Sequence, residues 1–313
     1  MNGSLLPRRG DHVSIREVGP RDGLQPERPV AADDRVRLIE ALFAAGVRHL
    51  EAVAFVSPRA VPAMAGGAAV LAAMSRPDGA VVTALVPNAR GAADALECAV
   101  DELTVTISAS ETYNRRNVNR SIADSLVEVR EITRLAAAAT VPVDAVVSCA
   151  FGSPYEGDVS PAEAAGLGDR LLDAGCTRLT YADTTGVATP NRVLGLVEET
   201  GPTIGLHLHQ TRGTALLNAW AALQVGVRRF DTSVGGLGGS PFAHGAAGNL
   251  ATEELVAVLD DAGVVTGCDV EALVSAAALA AELVGHPVPS AVASAGPRGR
   301  RADSGDTDPT RAR

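Results

Sequence analysis

The chain alternates short apolar, β-branched segments with longer Ala- and Leu-rich segments whose apolar positions recur every three to four residues. The short segments predict buried strands, and the longer ones predict amphipathic helices. The predicted strands are Val13–Val18, Val47–Phe55, Ala80–Val86, Glu102–Ser108, Val141–Cys149, Thr177–Ala182, Thr203–His209 and Arg228–Val234. The predicted helices are Asp33–Ala45, Asn88–Val100, Ser121–Ala139, Pro161–Ala174, Asn191–Thr200 and Thr214–Gln224, followed after the last strand by Asn249–Ala262 and Glu271–Val284.

Eight strands alternating with helices over about 240 residues are typical of an α/β TIM (β/α)8 barrel. A doubly wound sheet is the alternative, but it usually has a glycine-rich turn after its first strand, and Gly-Pro-Arg-Asp-Gly at 19–23 does not match that pattern. We therefore expect one barrel domain with extra C-terminal helices over residues 12–290. A flexible N-terminus is expected at 1–11 and a disordered tail at 295–313.

The overall composition indicates a globular protein that is neither embedded in a membrane nor bound to nucleic acid. The 313 residues are 46% hydrophobic, and no run of eighteen or more apolar residues predicts a transmembrane helix. Arg8 and Arg9 lack the apolar segment that a signal peptide needs, so a cytoplasmic location is expected. Four scattered cysteines without a CxxC motif indicate reduced thiols. The net charge of −10 argues against a nucleic-acid partner.

Lysine is absent from the chain, since all 27 basic residues are arginine. A Schiff-base aldolase and a pyridoxal-phosphate enzyme both need a lysine amine, and a P-loop needs the lysine of its GK[ST] motif. The sequence therefore excludes these three classes. An enzyme that forms a carbanion or an enolate without lysine needs another electron sink, and a metal ion is the obvious one.

His207 and His209 are the most informative polar residues of the chain. Two positions apart on a predicted strand, they leave the same face of that strand. Barrel active sites lie at the C-terminal ends of the strands, and strands one and seven, both odd, can present Asp22 and the histidines to one point. Imidazole and carboxylate together suit Mn²⁺, or Mg²⁺ when oxygen ligands and water complete the shell. The simpler alternative is two polar residues on a half-exposed strand.

Other charged residues also fall at predicted strand ends, namely Glu51, Asp183, Arg16 and Glu17. Each has an ordinary structural explanation beside a catalytic one. Glu51 is explained by a buried arginine partner, and Asp183 by a helix cap or a turn. Arg16 and Glu17 are explained by barrel-mouth salt bridges, which is the interpretation favoured for Glu17.

The segment at 16–25, Arg-Glu-Val-Gly-Pro-Arg-Asp-Gly-Leu-Gln, resembles the opening motif of the 3-hydroxy-3-methylglutaryl-CoA lyases, a family of metal-dependent TIM-barrel lyases. The resemblance continues in order at 55–58, 148–150, 154–157 and 205–209, and ends at 236–249, which is similar to the family's signature loop. It spans about Ser14 to Gly285, which makes chance similarity very improbable.

The resemblance implies cleavage of 3-hydroxy-3-methylglutaryl-CoA to acetyl-CoA and acetoacetate with Mg²⁺ or Mn²⁺, a reaction of leucine degradation and ketone-body formation. It also implies an acyl-CoA partner and a homodimer. The positions that match the family's metal ligands are Asp22, His207, His209 and Asn249. Arg21 matches the arginine that stabilises the enolate, and Glu51 and Asp183 match acidic residues of the family's active site. In the reaction that this implies, a base near the metal, His207 or Asp22, takes the proton of the substrate hydroxyl.

Three positions depart from the family pattern. Ser240 stands where the signature loop has a catalytic cysteine, Gln210 replaces the usual Asp or Asn, and Ser153 stands where some relatives have cysteine. A thiol with a pKa of about 8.5 can shuttle protons near neutral pH, whereas a serine hydroxyl can only relay them. A shifted substrate or a slower reaction is therefore expected. The alternatives are a lyase for a related 3-hydroxy-3-alkylglutaryl-CoA and a catalytically silent acyl-CoA-binding relative.

Two loops carry weaker predictions. The Gly-rich segment at 235–248 is predicted to be a mobile lid, since glycines permit the backbone changes that closure needs, and a static connection is the alternative. The arginines at 115 and 116 follow the fourth strand, where they could meet coenzyme A phosphates or form a solvated charged loop.

Overall fold

The computed structural model describes residues 7–239 and 248–298. Eight parallel strands in this part close into a barrel in the order β1-β8-β7-β6-β5-β4-β3-β2. The strands are β1 Ser14–Glu17, β2 His49–Ala54, β3 Val81–Leu85, β4 Glu102–Ser108, β5 Val143–Ser148, β6 Arg178–Asp183, β7 Gly205–Leu208 and β8 Arg229–Thr232. Every strand end lies within two residues of its prediction, so the predicted TIM barrel is confirmed. A doubly wound open sheet is wrong because β1 pairs with both β2 and β8.

Helices connect the strands and cover the outside of the barrel. They are α1 Ala32–Ala44, α2 Gly67–Ala73, α3 Ala89–Glu97, α4 Glu111–Val118, α5 Ile122–Ala138, α6 Pro161–Asp173, α7 Pro190–Thr200, α8 Ala215–Gln224, α9 Thr252–Asp261, α10 Val270–Val284 and α11 Ala291–Ala295. All eight predicted helices are present, including the two C-terminal ones. Gly46 and Gly175, which follow α1 and α6, have φ values of +95° and +99°, as glycines that end helices do.

The helix α4 corrects the expectation of a charged loop after the fourth strand. Only Tyr113 and Asn114 of this helix are buried, so the segment lacks the apolar period by which helices are recognised. It is stabilised instead by local polar contacts. Ser110 accepts a hydrogen bond from the Tyr113 N–H as the N-cap, and Arg115 pairs with Glu111 at 2.8 Å. Two short helices, α2 and α11, were also missed.

The interior of the barrel is polar, whereas branched apolar side chains usually fill such barrels. Arg16 of β1 reaches across the barrel to Asp144 of β5, with 2.6 Å between Nη1 and Oδ2. His49 of β2 contacts Glu102 of β4, with 3.0 Å between Nε2 and Oε1. The apolar core lies instead between the strands and the surrounding helices. The barrel centre is therefore held by hydrogen bonds and ion pairs rather than by packed aliphatic layers.

Glu17 is not a barrel-mouth salt bridge, so the favoured interpretation of this residue was wrong. Its carboxylate is fully buried, and among residues 7–239 and 248–298 it forms no ion pair. It accepts hydrogen bonds from the N–H groups of Gly19 and Val234, at 2.7 and 2.9 Å, and from the Thr252 hydroxyl. Burial raises the pKa of Glu17 to about 7. Glu17 thus supports two loops from beneath the barrel mouth.

The chain ends are only partly described. Asp11, at the end of the segment expected to be flexible, pairs with Arg228 at 2.9 Å. The predicted disordered tail begins at Ala295, where α11 ends, and residues 299–313 lie outside the described part. The predicted lid begins with one 3₁₀ turn, Val234–Gly236, and its residues 240–247 also lie outside. Across the described residues, every helix is too short or too polar to cross a membrane.

We expect Gly168→Ala in α6 to destabilise the protein by about 1–3 kcal/mol, because an added Cβ would overlap the Tyr181 hydroxyl and lie 2.9 Å from Leu179 Cδ1. Gly166→Ala in the same helix is the matched control. Its Cβ would meet nothing within 4 Å, so it should be neutral or stabilising by up to about 1 kcal/mol. Urea unfolding followed by circular dichroism measures both values. Equal effects of the two substitutions would contradict the packing of α6 on β6.

Candidate functional site

A single π-helical turn, Gly19–Gly23, places Arg21 and Asp22 at the mouth of the barrel directly after β1. The N–H groups of Asp22 and Gly23 both donate to the Val18 carbonyl, at 2.7 and 3.2 Å. The turn sits tightly on Glu17, since a Cβ at Gly19 would lie 2.6 Å from Glu17 Oε1. The turn therefore fixes two neighbouring charged side chains, of which Arg21 is buried and Asp22 is partly exposed.

His207 and His209 leave the same face at the end of β7, as the period of two predicts. Both side chains are buried, and their ring centroids lie 5.1 Å apart. The two Nε2 atoms face each other at 3.2 Å. One ligand atom each from Asp22, His207 and His209 lies within 4.8 Å of the others. The structure thus brings together the three residues that the sequence suggested for one point.

Asn249 joins this group through backbone pairing with β7. It forms an antiparallel bridge with His209, and the flanking Leu250 N–H donates to the Leu208 carbonyl at 2.8 Å. The Asn249 side chain donates through Nδ2 to Asp22 Oδ2 at 2.8 Å and to the Leu237 carbonyl at 3.0 Å. All four positions that match the family's metal ligands therefore lie together. We refer to Asp22, His207, His209 and Asn249 as the mouth cluster.

The donor atoms of the mouth cluster fit a divalent cation. Asn249 Oδ1 is buried and has no hydrogen-bond partner in the described part of the chain, so it is an available oxygen donor beside the other three residues. The set of imidazole nitrogen, carboxylate oxygen and amide oxygen suits Mn²⁺ and, with water, Mg²⁺. A positive ion would relieve the close approach of the two Nε2 atoms.

The charges in the mouth cluster are already coupled without an ion. Burial opposes ionisation of Asp22, but Arg21 and the two histidines outweigh it and lower its pKa. Burial likewise disfavours the charged form of His207, but the hydrogen bond to Asp231 and the charge of Asp22 raise its pKa. Because a protonated His207 cannot bind a cation, its raised pKa predicts that the affinity of the cluster for a metal ion weakens as the pH falls.

Arg21 lies between two carboxylates. Its Nε is 2.5 Å from Glu51 Oε2, its Nη2 also contacts that oxygen, and its Nη1 is 2.6 Å from Asp22 Oδ1. Burial lowers the pKa of Arg21, but Glu51 and Asp22 more than offset this and raise it above its usual value. Glu51 is thus the buried partner of an arginine that the sequence allowed. Three of the five N–H groups of Arg21 are engaged by these contacts, which leaves two as possible donors.

Asp231 is a site residue that the sequence analysis missed. Its Oδ2 lies 3.3 Å from His207 Nδ1, and Arg16 contacts both of its oxygens at 2.8 Å. Asp231 and His207 are register partners on β8 and β7. Burial opposes its ionisation, but Arg16 holds the pKa of Asp231 well below its usual range. The sequence did contain a clue, since Asp231 is an acidic residue within the predicted strand that follows the one carrying His207.

The remaining predicted positions have different surroundings. Asp183 Oδ1 accepts the N–H groups of Val187 and Ala188, at 2.8 and 3.0 Å, so it holds the turn after β6. Its Oδ2 is buried and has no hydrogen-bond partner among the described residues. Ser240 lies outside the described residues. Among the other departures, Gln210 accepts the Ala215 N–H at the start of α8, and Ser153 contacts Glu156 at 2.9 Å.

A cavity of about 560 Å³ opens at the barrel mouth beside the mouth cluster. Its polar wall contains Arg21, Asp22, His207, His209 and Asp231. The lining also includes uncharged residues of four neighbouring strands, β3 to β6, namely Leu85, Thr106, Val146 and Ala182. A cavity with a few convergent polar groups and a largely apolar remainder is typical of a small-molecule site.

The fold and this cavity define a TIM barrel with a candidate metal centre at its catalytic end. The sequence model of the HMGL-like family matches residues 12–280. The chain therefore belongs to the HMGL-like family, and curated relatives that share 40–44% of its residues are carbon–carbon lyases.

Three relatives illustrate the similarity. The hydroxymethylglutaryl-CoA lyase YngG of Bacillus subtilis is 41% identical over 285 residues, which are 89% of this chain and 95% of that protein. The 3-hydroxy-3-isohexenylglutaryl-CoA/hydroxymethylglutaryl-CoA lyase of Pseudomonas aeruginosa is 41% identical over 277 residues, which are 87% of this chain and 91% of that protein. The structure of an HMG-CoA lyase from Acinetobacter baumannii, solved with coenzyme A and 3-methylmalate, has a TM-score of 0.89 at 36% identity. The match covers 97% of this chain and 99% of that protein.

Asp183 predicts a pH dependence of stability. Burial raises its pKa to about 7, against 3.8 for an unperturbed carboxyl, although two backbone N–H groups and Arg212 oppose the rise. The folded state therefore binds this proton more tightly, and ionisation destabilises it as pH rises from about 4 to about 7. We expect Asp183→Asn to gain stability relative to the parent across this window, by up to about 4 kcal/mol, and to keep the gain above it.

The measurement is the difference in unfolding free energy between Asp183→Asn and the parent, from denaturant titrations at several pH values with EDTA present. Asp158→Asn is the control, because Arg192 lowers the pKa of the exposed Asp158. The unfolding free energy of Asp158→Asn minus that of the parent should fall as the pH rises toward about 4 and should stay constant at higher pH. A flat profile for Asp183→Asn between pH 4 and 7 would show that its carboxyl titrates normally.

Proposed function

We propose that this chain cleaves 3-hydroxy-3-methylglutaryl-CoA to acetyl-CoA and acetoacetate with a divalent ion, Mg²⁺ or Mn²⁺, bound in the mouth cluster. The observation that carries the proposal is the convergence of Asp22, His207, His209 and Asn249 beside Arg21 on one cavity. The relatives named as hydroxymethylglutaryl-CoA lyases support the substrate.

The reaction is a retro-aldol type cleavage. The proton of the C3 hydroxyl is removed, the C2–C3 bond breaks, and a ketone forms at C3. The electron pair of the broken bond passes into the thioester, which leaves as the enolate of acetyl-CoA, and protonation at its carbon completes the products. The site must therefore accept one proton, stabilise one developing oxyanion and return one proton.

A bound divalent ion supplies a Lewis acid that acidifies the substrate hydroxyl and aligns the bond to be broken. The protein must then accept the hydroxyl proton, and the sequence left His207 and Asp22 as candidates. His207 turns Nδ1 toward Asp231, so its only other nitrogen, Nε2, is the one that faces the cluster. Asp22 has more lone pairs than the contacts from Arg21 and Asn249 occupy. We therefore assign Nε2 of His207 to the metal and the proton to Asp22. Because the pKa of Asp22 is lowered, this transfer depends on the acidity that a bound ion would give the substrate hydroxyl.

Arg21 stabilises the enolate oxygen in this proposal. Two carboxylates fix its guanidinium, so the positive charge is oriented before the substrate arrives. Arg21 lines the cavity, and two of its N–H groups are not engaged by these carboxylates. They can donate hydrogen bonds to the enolate oxygen of a bound substrate. Glu51 then acts by positioning Arg21 rather than by exchanging a proton with the substrate.

Ser240 is the expected source of the last proton, by relay, because it occupies the position of the family's catalytic cysteine. A hydroxyl does not ionise near neutral pH, so return of the proton to the enolate carbon is the step that this substitution slows. The proposal therefore predicts a slow lyase on the methyl substrate rather than an inactive one.

A second candidate substrate is a 3-hydroxy-3-alkylglutaryl-CoA with a longer C3 chain. The observation in its favour is that the cavity is lined by the small and medium uncharged side chains of Leu85, Thr106, Val146 and Ala182. Each methylene group that such a lining buries contributes about 0.8 kcal/mol to binding. A relative that shares 41% of its residues is named for both a methyl and an isohexenyl substrate.

The assay follows acetyl-CoA release from 3-hydroxy-3-methylglutaryl-CoA with Mg²⁺ or Mn²⁺. We expect activity in the parent, none with excess EDTA, and a loss of at least about 100-fold in His207→Ala, since that variant lacks a ligand. A series of longer C3 alkyl analogues in the same assay separates the two candidate substrates. Trp220→Phe, on the outer helix α8, is a control that should keep parental activity.

The same assay also contains the outcome that would reject both substrates. If no analogue releases acetyl-CoA while coenzyme A esters still bind to the protein, the chain is a silent acyl-CoA-binding relative. Full activity in EDTA would reject the metal instead. The homodimer, the cytoplasmic location and the pathways of leucine degradation and ketone-body formation stay predictions.

We expect Ser240→Cys to raise kcat on the methyl substrate by about 10-fold or more, because a thiol can donate a proton directly where the hydroxyl must relay it. The comparison is steady-state kcat with saturating metal in Ser240→Cys, in Ser240→Ala and in the parent. Ser240→Ala should be slower than the parent, since it removes the relay. No gain in Ser240→Cys would mean that this position does not limit turnover.

A further inference from the structure

Three residues from adjacent strands form a row inside the barrel that ends in the mouth cluster. Arg16 of β1 is in register with Asp231 of β8, and Asp231 is in register with His207 of β7. All three side chains are buried. The row therefore leads from a buried cation to a residue of the candidate metal centre in two direct contacts. We call Arg16, Asp231 and His207 the interior row.

The contact between Arg16 and Asp231 is a two-pronged fork. Arg16 Nε lies 2.8 Å from Asp231 Oδ1, and Arg16 Nη2 lies 2.8 Å from Asp231 Oδ2. Because both carboxylate oxygens are held by one planar guanidinium, the carboxylate plane is fixed as well as its charge. A lysine in place of Arg16 would supply the charge but not this planar constraint.

The other end of Arg16 is anchored across the barrel. Its Nη1 donates to Asp144 Oδ2 at 2.6 Å, and Asp144 also receives Arg229 Nη2 at 3.2 Å. Thr180 donates to the same Asp144 oxygen at 2.8 Å. Space for this group comes from Gly205, where a Cβ would lie 2.6 Å from Thr180 Oγ1. Arg16 therefore has one defined orientation, set by groups on β5, β6 and β8.

Asp231 passes that orientation on to His207. Its Oδ2 is shared between Arg16 Nη2 and His207 Nδ1, at 2.8 and 3.3 Å. With Nδ1 directed at the carboxylate, the His207 ring is turned so that Nε2 faces His209 Nε2 at 3.2 Å. A histidine whose second nitrogen is held by a carboxylate presents a fixed and more basic donor to a metal.

We propose that Arg16 is a positioning residue of the metal centre, which sets the direction of His207 Nε2 through the carboxylate of Asp231. The inference rests on the proposed function, because it assumes that the mouth cluster binds a divalent ion. Neutralising the buried carboxylates would not by itself require an arginine with this fixed orientation. Asp144 has Arg229 as a second cation, whereas the bidentate partner of Asp231 is Arg16.

The experiment measures Mn²⁺ binding to the purified full chain by titration calorimetry, without substrate. Arg16→Met should raise the Mn²⁺ Kd by about 10-fold, the lower end of the loss seen when a direct partner of a metal ligand is removed, because Arg16 acts on His207 through Asp231. Arg229→Met is the matched control, since Arg229 contacts Asp144 and Thr180 but, among the described residues, forms no hydrogen bond or ion pair with Asp231. It should leave the Kd within about twofold of the parent while lowering thermal stability.

Arg16→Lys keeps the proposal testable if Arg16→Met does not fold. This variant retains the buried charge but cannot form the fork, so it should fold and still bind Mn²⁺ at least several-fold more weakly than the parent. In metal-free protein, the downfield proton resonance of the His207 Nδ1–H should shift in Arg16→Lys and remain in place in Arg229→Met. A purely structural role of Arg16 would move neither readout selectively.

Each outcome has a distinct meaning. Absence of Mn²⁺ binding by the parent overturns the metal centre itself, and this inference with it. Parental binding with an unchanged Kd in Arg16→Met or Arg16→Lys overturns only the positioning role. Equal weakening in the Arg16 variants and in Arg229→Met also overturns it, because the effect would then follow buried charge in general.

Discussion

Closure of the barrel between β1 and β8 is the constraint on which the candidate site depends. It places the first strand beside the last, so that Arg16 and Asp231, 215 positions apart in the chain, become register partners. The same closure brings the turn after β1, which carries Arg21 and Asp22, next to the histidines of β7. An open sheet with the same strands would separate these groups by the width of the sheet.

The fold follows from patterns that are local in sequence. Each strand is a short apolar run between turn residues, and each predicted helix has an apolar stripe, so their order alone indicated the barrel. The elements that were missed lack such a pattern. The helix α4 is polar on nearly all sides and depends on its Ser110 cap, and α2 and α11 are too short to show a period.

The site was predictable only where its residues share a sequence pattern. The spacing of His207 and His209 identifies one face of a strand, and the position of Asp22 identifies a strand end. Asp231 was not identified because its partners come from the neighbouring strands β1 and β7, and the pairing of strands that are distant in sequence leaves no pattern in any single segment. Glu17 was misjudged for a related reason. Its partners are backbone N–H groups, and these carry no signal in a list of charged residues.

Family membership indicates the class of enzyme, whereas the residues inside this barrel indicate how the candidate site is supported. The comparisons place the chain among carbon–carbon lyases, and the mouth cluster shows that the necessary groups converge. The polar barrel interior shows how this chain supports them. Arg16 and Asp144 occupy space that aliphatic side chains fill in most barrels of this type, so their charges have to be balanced by one another.

The backbone bridge between His209 and Asn249 fixes the end of the signature loop independently of the residues in its middle. Gln210 and Leu250 add hydrogen bonds on either side of the bridge, so the returning strand of the loop is fastened to β7 at three consecutive points. Asn249 therefore takes its position from the end of β7 and from Leu237, all of which lie within the described residues. Under the proposed function, the residue thought to return the proton and the residues thought to hold the cation therefore lie on different parts of the chain, so a substitution at Ser240 need not disturb the contacts that position Asn249.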